Sequence, residues 1–387
     1  MDWAFGEDSS GSMSEEEDRA LLSNQLYRIA MFLWVFFQVS FVAWGCVRVE
    51  KHFQELGWIE MLGMLLSIGI MSGGGVTVAH EFVHKPAQLA DWIGAHFLLA
   101  SINYAHFYIE HVRNHHVNVA TPFDPATARL GETVYEFFPR SVIGQYASAW
   151  HLENRRISRD LADLESPSAL KKLVVLFGNR MLYYSAAPLV FVFLFYKLVG
   201  PVAALFFVCQ SVIAWVPVEV INYIEHYGLV RMKRSDKEGD APSSASTATS
   251  LFEPVSELHS WNSNTKIMNF ILLNIQRHSD HHAHSSRPFQ LLRNIASLRP
   301  KSAAASSSPS PSIQQVPFGY SLMILISLFP PLFWAIMHPR VLAMRRNQRQ
   351  QIDANPNDTL DDYKIPWMDK RSKFFSLGPW LQFPALY

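Results

Sequence analysis

The sequence predicts an all-α integral membrane protein with two transmembrane helical hairpins and additional re-entrant or interfacial helices. Hydrophobic residues make up 49% of the 387-residue chain, and they lie in runs long enough to cross a bilayer. Charged residues account for only 17%, whereas soluble domains average about 25%. The formal net charge is zero, so nothing indicates a nucleic-acid partner.

Four apolar segments of about 20 residues are long enough to span the membrane as helices. Leu26–Val47 and Trp58–Ala79 form the first predicted hairpin, and Met181–Val199 and Pro201–Ile221 form the second. Each pair is joined by a short turn that contains glycine. We therefore expect both hairpins to cross the bilayer completely.

Three other apolar segments are predicted to be re-entrant or interfacial. Leu89–Ile109 contains polar side chains that are costly in lipid, and Tyr320–Met337 is split by Pro330-Pro331, which breaks or kinks a helix. Val134–Leu152 is rich in aromatic residues and is expected to be broken by Pro139. We expect it to lie along the membrane surface.

The distribution of basic residues predicts the orientation. Nine Lys or Arg residues lie between Glu110 and Arg180, whereas the turn between the first two spans has only Arg48 and Lys51. The positive-inside rule then places the long loop in the cytoplasm. The acidic N-terminus lacks the basic start of a cleaved signal peptide, so the first span would direct insertion. Both a bacterial inner membrane and a eukaryotic endomembrane fit this pattern.

The chain divides into three predicted regions. Residues 1–25 form an acidic, disordered N-terminus, residues 26–342 form the membrane-embedded domain, and residues 343–387 form a polar and aromatic tail. Residues 235–250 and 301–315 are low-complexity inserts that are too polar to fold alone. We predict both inserts to be disordered surface loops.

Cysteine chemistry is nearly absent. Cys46 and Cys209 both lie within apolar runs, and no CxxC pair is present. A structural disulfide or an iron–sulfur site is therefore not expected. Electrons for any redox reaction would have to come from a separate carrier.

Histidines are unusually frequent, with 16 in the chain, and nine of them fall into four groups. Side chains four residues apart project from one face of a helix, and this spacing recurs in three groups. Each group lies at or just beyond the cytoplasmic end of a span or half-span, so the topology is expected to gather all four. The groups are His80 and His84; His111, His115 and His116; His226; and His278, His281 and His282.

Nine imidazoles exceed the capacity of one metal ion, but two ions could share them. Imidazole suits iron, copper, zinc and nickel, so the ligands alone do not select the metal. Acidic residues beside these histidines could accept hydrogen bonds from the outer ring N–H groups. These candidates are Glu81, Glu110, Glu225 and Asp280, with His284 two residues past the last group. Ordinary surface or core roles are expected for His52, His96, His106, His151, His259 and His338.

Two other kinds of protein are compatible with parts of this pattern. The sequence from His80 to His84 is HExxH, the motif of zinc metalloproteases, but an intramembrane protease would leave seven well-spaced histidines without a role. A metal transporter or metal store is the non-enzymatic alternative. Transporter sites lie near the bilayer midplane, whereas these histidines are predicted at the cytoplasmic face.

Three segments resemble the histidine boxes of membrane-bound alkane hydroxylases, a family within the fatty acid desaturase and hydroxylase-like histidine-box superfamily. A fourth element is similar to the HYG motif of that family, and two flanking stretches also match. The resemblance extends from about Leu26 to Leu342. The matching segments are His80–Lys85, Glu110–His116, Gln276–Ala283, Asn222–Leu229, Val119–Arg129 and Ser260–Asn264.

The resemblance implies a cytoplasmic di-iron site with all nine grouped histidines at ligand positions, and no catalytic side chain beyond the metal centre. It also implies terminal hydroxylation of medium- or long-chain n-alkanes to 1-alkanols. O₂ would be the co-substrate. Rubredoxin or a similar carrier, with its NAD(P)H reductase, would supply the electrons.

The sequence departs from the family pattern in places. Asn114 occupies a position where the second box usually has glycine, so a different local backbone is expected. The hydrophobic hairpin that normally precedes the segment at Leu26 is not present, which would remove part of the substrate channel wall. Related substrates also stay open: a fatty acyl lipid, by hydroxylation or desaturation, or an aromatic methyl group. Tyr227-Gly228 favours a hydroxylase over a desaturase.

Overall fold

The computed structural model describes residues 6–7, 13–85, 88–164, 168–232, 251–295 and 314–353. Over these residues the regular elements are helices, and β-type pairing is limited to isolated bridges. The predicted all-α class is therefore confirmed. The α-helices are α1 (Glu15–Ser23), α2 (Gln25–His52), α3 (Trp58–Gly74), α4 (Val76–Val83), α5 (Leu89–Ser101), α6 (Phe107–Glu110), α7 (His116–Asn118), α8 (Val134–Ala162), α9 (Ala169–Phe177), α10 (Arg180–Leu198), α11 (Pro201–His226), α12 (Lys266–Ile271), α13 (His278–Ala283), α14 (Tyr320–Ser327) and α15 (Pro330–Asp353).

Four candidate membrane spans agree with the two predicted hairpins. They are Gln25–His52, Trp58–Val83, Arg180–Leu198 and Pro201–His226. The second span combines α3 and α4, which meet at Gly75. Each span is long enough for a hydrocarbon core of about 30 Å. The chain is an integral membrane protein.

Helix α5 contains 13 residues, too few to cross a bilayer. Its C-terminal carbonyl groups are satisfied by side chains of α11. Gln210 Nε2 donates to the Ser101 carbonyl oxygen, and Trp215 Nε1 donates to that of Ile102, each over 2.8 Å. Without these donors the end of the helix would leave unpaired carbonyls in an apolar environment.

The polar residues that make α5 unsuitable as a lipid-exposed span also have partners. Asp91 forms a two-point ion pair with Arg28 of α2, with N–O distances of 3.1 and 2.6 Å. His96 Nε2 lies 2.7 Å from the Tyr184 hydroxyl of α10. These contacts reduce the cost of placing a charge and an imidazole among apolar helices.

Prolines have different effects in two of the predicted interfacial segments. The segment beginning at Tyr320 is interrupted as predicted, with α14 ending at Ser327 and α15 beginning at Pro330. The predicted break at Pro139 is wrong, because α8 continues through it. Pro139 is the sixth residue of α8, so only a hydrogen bond near the helix N-terminus is lost.

The terminal regions also differ from expectation. Residues Glu15–Ser23, expected to be disordered, form α1, which begins with a capping box. Glu17 N donates to Ser14 Oγ, and Ser14 N donates to Glu17 Oε2, which satisfies two helix-end donors. Helix α15 extends to Asp353 within the expected tail, and residues 354–387 lie outside the described part. Of the two inserts, only Gln314 and Gln315 are described.

The single domain expected for residues 26–342 is divided into two compact units. Unit 1 comprises Met1–Asn24, His115–Gly144 and Glu219–Tyr387, and unit 2 comprises Gln25–Asn114 and Gln145–Val218. Each unit has its own core. The core of unit 1 combines aliphatic side chains with large aromatic ones, including Tyr223, Tyr227, Trp261, Tyr320 and Phe333. In unit 2 one cluster joins α2, α3 and α11 through Val42, Cys46, Ile68, Phe206 and Phe207.

Candidate metal centre

Unit 2 brings three of the predicted histidine ligands together. His80 and His84 lie one turn apart at the end of α4, and His111 follows α6 directly. The Nε2 atoms of His84 and His111 are 3.2 Å apart. The ring of His80 is centred 4.9 Å from that of His84 and 4.5 Å from that of His111. The stacked ring of Phe107, 4.5 Å from His111, helps to orient this imidazole.

Unit 1 contains a second cluster of four buried histidines. His226 is the last residue of α11, His278 and His282 lie one turn apart on α13, and His115 precedes α7. One nitrogen from each lies within 4.8 Å of the others. His278 Nε2 is 3.2 Å from His226 Nε2 and 3.0 Å from His282 Nε2. The four imidazoles therefore converge through ring nitrogens.

The other two predicted ligands also meet within unit 1. His116 Nε2 lies 3.0 Å from His281 Nε2, and the ring of His116 stacks on that of His282 at 4.5 Å. Unit 1 thus carries six of the nine predicted ligands, supplied by three segments distant in sequence.

His111 and His115 belong to different clusters, although only four residues separate them. Residues His111–His115 form a π-helical turn. His111 joins His80 and His84, whereas His115 joins the four-histidine cluster. This is the different local backbone expected near Asn114, which donates a 2.8 Å hydrogen bond to Glu110. Isolated π turns often occur at functional sites.

Two ligands of the unit 1 cluster are held by their outer ring nitrogen. His115 Nδ1 lies 3.0 Å from Asp124 Oδ2, and His226 Nδ1 lies 3.2 Å from the His259 carbonyl oxygen. Both partners are acceptors, so Nδ1 donates in each pair. A neutral imidazole that carries its proton on Nδ1 has a lone pair on Nε2, which is the metal-binding arrangement.

Electrostatics favour the same protonation states. Burial lowers the pKa of His282 well below its ordinary value, and the neighbouring His116 and His278 lower it further. Burial alone would raise the pKa of Asp124, but the attraction of His115 and the hydrogen bonds from His115 and Thr127 lower it overall. The site therefore favours a neutral His282 and an ionised Asp124, as metal coordination requires.

The spacing of the ring nitrogens fits a metal ion. Nitrogens bound at about 2.1 Å in tetrahedral or octahedral geometry lie roughly 3.0–3.4 Å apart. The Nε2 separations of 3.2 Å in unit 2 and of 3.2, 3.0 and 3.0 Å in unit 1 are in this range. An all-imidazole donor set suits iron, as it also suits copper, zinc and nickel.

The acidic residues predicted beside the ligands have more varied contacts. Glu225 Oε2 lies 3.2 Å from His278 Nε2. This is the ring nitrogen that faces His226 and His282, so the contact is not with the outer ring nitrogen. Glu81 forms an ion pair with Lys85, and Glu110 accepts from Asn114.

The remaining predicted neighbours, Asp280 and His284, contact each other. His284 Nδ1 lies 3.1 Å from Asp280 Oδ1, and Asp280 also pairs with Arg287 and accepts from Arg293 N. His284 is exposed by 48%. Asp280, on α13, thus holds the segment from His284 to Arg293 against this helix.

Sequence reasoning did not select two anchors, Asp124 and the His259 carbonyl group. Asp124 could have been found, because it lies in the stretch Val119–Arg129 that resembles the alkane hydroxylases. A backbone carbonyl has no side-chain signature, so nothing in the sequence identifies His259 as the partner of His226.

Comparisons with known proteins agree with this geometry. The model of the fatty acid desaturase family matches residues 56–309. Alkane 1-monooxygenase 1 of Pseudomonas aeruginosa is 34% identical over 92% of this chain and 84% of its own length. The chain belongs to the alkane 1-monooxygenase family. A further member, from Pseudomonas putida, is 33% identical over 88% of this chain and 75% of its own length.

A more distant relative is named for aromatic substrates. The xylene/toluene monooxygenase hydroxylase component of Pseudomonas putida is 27% identical over 72% of this chain and 64% of its own length. Membership of the alkane 1-monooxygenase family makes this chain an oxidoreductase of the monooxygenase class. The match to monooxygenases argues against the zinc-protease alternative, and Glu81, which would be the general base of that motif, forms an ion pair with Lys85.

Proposed function

We propose that this protein hydroxylates the terminal methyl group of medium- and long-chain n-alkanes, with O₂ as oxidant and two iron ions held by its nine grouped histidines. The observation that carries the proposal is the convergence of imidazole nitrogens at metal-ligand spacing in each unit. The relatives named alkane 1-monooxygenase support the substrate class.

The net reaction fixes what must be supplied from outside. An alkane, O₂, two electrons and two protons give a primary alcohol and water. Iron, when bound, supplies the reductive activation of O₂ and the transfer of one oxygen atom to carbon. Cys46 and Cys209 are unbridged, and neither lies in a CxxC pair. We therefore propose that electrons arrive from rubredoxin or a similar carrier, reduced by an NAD(P)H-dependent reductase.

The protein itself orients the ligands and excludes water from them. Asp124 and the His259 carbonyl fix two imidazoles through Nδ1. The histidines of the unit 1 cluster are all buried. Water exclusion protects reactive species from side reactions, and fixed imidazoles keep the geometry unchanged when the redox state of the metal changes.

Binding of an alkane must be almost entirely apolar, because the molecule has no polar group. Burial contributes about 0.8 kcal/mol per methylene, so long chains bind more tightly than short ones. We propose that substrate dissolved in the bilayer enters between the spans. The basic loop that begins at Glu110 supports a site on the cytoplasmic side of a bacterial inner membrane or a eukaryotic endomembrane.

The proposal is tested by product analysis in membranes that contain this protein. Rubredoxin, its reductase, NADH and ¹⁸O₂ are supplied with a mixture of n-alkanes and fatty acids, and products are identified by mass spectrometry. We expect ¹⁸O-labelled 1-alkanols. The fatty acid desaturase model that matches residues 56–309 makes fatty acyl modification the second candidate, and modified acyl chains without alkanols would replace the proposal with it.

The His282→Ala variant tests the metal assignment. The change removes a buried imidazole that contacts His278, so we expect lower iron content and loss of turnover. His52→Ala is the matched control, since His52 lies at the end of α2 and contacts Glu55. Full activity in His282→Ala membranes would contradict the assigned site.

A further inference from the structure

Helix α9 has no buried residue, although seven of its nine residues are apolar. Leu170, Val174 and Phe177 are 70%, 64% and 58% exposed, and Leu173 and Leu176 are also exposed. Monomeric soluble surfaces rarely leave such a contiguous apolar group uncovered. Some other phase or molecule must therefore cover this helix.

The side chains of α9 are separated by face. At 100° per residue, Leu170, Leu173, Val174, Leu176 and Phe177 occupy one continuous arc. Lys171 and Lys172 fall outside this arc, and both are exposed. The helix is therefore amphipathic. Nine residues span only about 14 Å, which is too short to cross a bilayer.

Helix α9 is fixed in place at its C-terminal end. Arg156 of α8 donates to the Gly178 carbonyl oxygen, and Asn179 Nδ2 donates over 2.9 Å to Asn154 of α8. Glu153, fully buried, pairs with both Arg156 and Arg180. The exposed apolar arc therefore belongs to a helix that is held against α8, and not to a segment without contacts to the rest of the unit.

Helix α9 is followed in the chain by a candidate membrane span with little buried surface. Helix α10 begins at Arg180, three residues after the end of α9, and Met181 is its one buried residue. Leu182 and Tyr183 in its first turn are exposed, as are Leu189 and Phe193 farther along. A helix that immediately precedes a lipid-facing span, and carries lysines beside an apolar arc, has the composition of an interfacial membrane helix.

We infer that α9 lies in the membrane surface, with its apolar arc among the acyl chains and with Lys171 and Lys172 at anionic lipid headgroups. In this position it sets the depth at which the first turn of α10 enters the bilayer. Through the contacts of Glu153 and Arg156, it also holds the C-terminal part of α8 against the membrane. This inference rests on the membrane topology and not on the proposed reaction.

The test uses the full-length protein in bilayer nanodiscs that contain anionic phospholipid. With Cys46 and Cys209 replaced by alanine, single cysteines at Leu173 and Lys171 are labelled with bimane. The two sites lie on opposite faces of one helix, so each is a control for the other. Leu189→Cys provides the lipid-exposed reference, and Glu16→Cys, at an exposed position of α1, provides the aqueous one. A single symmetric peak in size-exclusion chromatography identifies folded samples.

We expect the label at position 173 to be blue-shifted, quenched by a shallow lipid-attached nitroxide, and protected from iodide. The label at position 171 should show the opposite preference. Equal iodide quenching at both positions would overturn the inference. Protection of position 173 from both quenchers would also overturn it, since a second copy of the chain or another protein would then cover the arc.

A change of lipid tests the charged part of the inference. When zwitterionic lipid replaces the anionic phospholipid, the headgroups no longer attract the lysines. We expect quenching of position 173 by the lipid-attached nitroxide to decrease, and no such decrease in a Lys171→Gln, Lys172→Gln background. Identical quenching in both lipids would show that the lysines do not bind anionic headgroups.

Discussion

The orientation of single imidazoles decides whether the histidine clusters can bind metal. His115 and His226 each donate through Nδ1 to a fixed acceptor, and His226 Nε2 then lies 3.2 Å from His278 Nε2. The anchors are of different kinds, since Asp124 is a carboxylate and His259 offers a backbone carbonyl. The carboxylate is the stronger acceptor because it is ionised, and it can be altered by mutation.

We predict that Asp124→Asn weakens iron binding by roughly 10- to 100-fold, the usual effect of removing a hydrogen-bond partner of a metal ligand. Asparagine keeps the volume of Asp124 but loses the charge that fixes the tautomer of His115. Iron content after dialysis against graded chelator concentrations measures the effect. Asp163→Asn, an exposed change at the end of α8, serves as the control. Equal iron retention in both variants would show that His115 does not need Asp124.

Close helix packing determines the position of the second span. An added Cβ at Gly73 would overlap the backbone carbonyl of Ala214 and come within 2.5 Å of Pro217, both in α11. One at Gly69 would lie 2.5 Å from Ile213. Small residues that allow backbones to approach are a common means of helix association in membranes. The neighbouring Gly74 faces open space.

We therefore expect Gly73→Ala to destabilise the protein by about 1–3 kcal/mol, the usual cost of overpacking. The matched control is Gly74→Ala, which has nothing within 4 Å of the added methyl group. Both substitutions raise helix propensity equally, so the difference between them isolates the clash. Thermal unfolding in detergent measures it. A variant at Gly73 that is as stable as the one at Gly74 would disprove the close contact.

A buried ion-pair network joins α8 to the start of α10. Burial alone would raise the pKa of Glu153, but hydrogen bonds from Arg180 and Arg156 lower it to about 2. A carboxyl group with a depressed pKa stabilises the fold above its unfolded pKa of about 4.3. This stabilisation is lost as the pH falls from there towards about 2.

The prediction for Glu153→Gln concerns pH. We expect the variant to be less stable than the wild-type protein at pH 7, with the difference becoming smaller as the pH falls below about 4.5. Thermal unfolding followed by tryptophan fluorescence over this pH range measures the difference. Glu16→Gln, an exposed change in α1, controls for the loss of one acidic group. A difference that is constant with pH would rule out the ionised pair as its source.

At the scale of the whole molecule, the predicted metal ligands connect segments that are distant in sequence. In unit 1 the imidazoles come from His115 and His116, from the end of α11 at His226, and from α13. Ions bound by these histidines would crosslink three parts of one unit. Binding to the folded state alone contributes about 2.7 kcal/mol when the free metal is 100 times Kd.

We predict that removal of iron with a chelator lowers the midpoint of thermal unfolding and that added Fe²⁺ restores it. The His282→Ala variant, already deficient in metal, should show a smaller response to both treatments. Differential scanning fluorimetry of the detergent-solubilised protein gives these midpoints. A midpoint that is the same with and without iron would show that the clusters do not stabilise the fold through bound metal.

The sequence by itself determined the four spans, the all-α class and the four histidine groups. These features are local: span length follows from runs of apolar residues, and histidine spacing is a property of a few consecutive positions. The sequence also determined the family, because the histidine boxes and their flanks are short continuous motifs. Even the break before Pro330 was predictable, since proline acts on its own helix.

Only the tertiary structure decided how these parts are used. His111 and His115 join different clusters although only four residues separate them, and His226 meets His278 across 52 positions of the chain. The anchors Asp124 and His259 also act over distances that no local pattern encodes. Packing within each unit fixes such contacts, and packing depends on side chains from many segments at once.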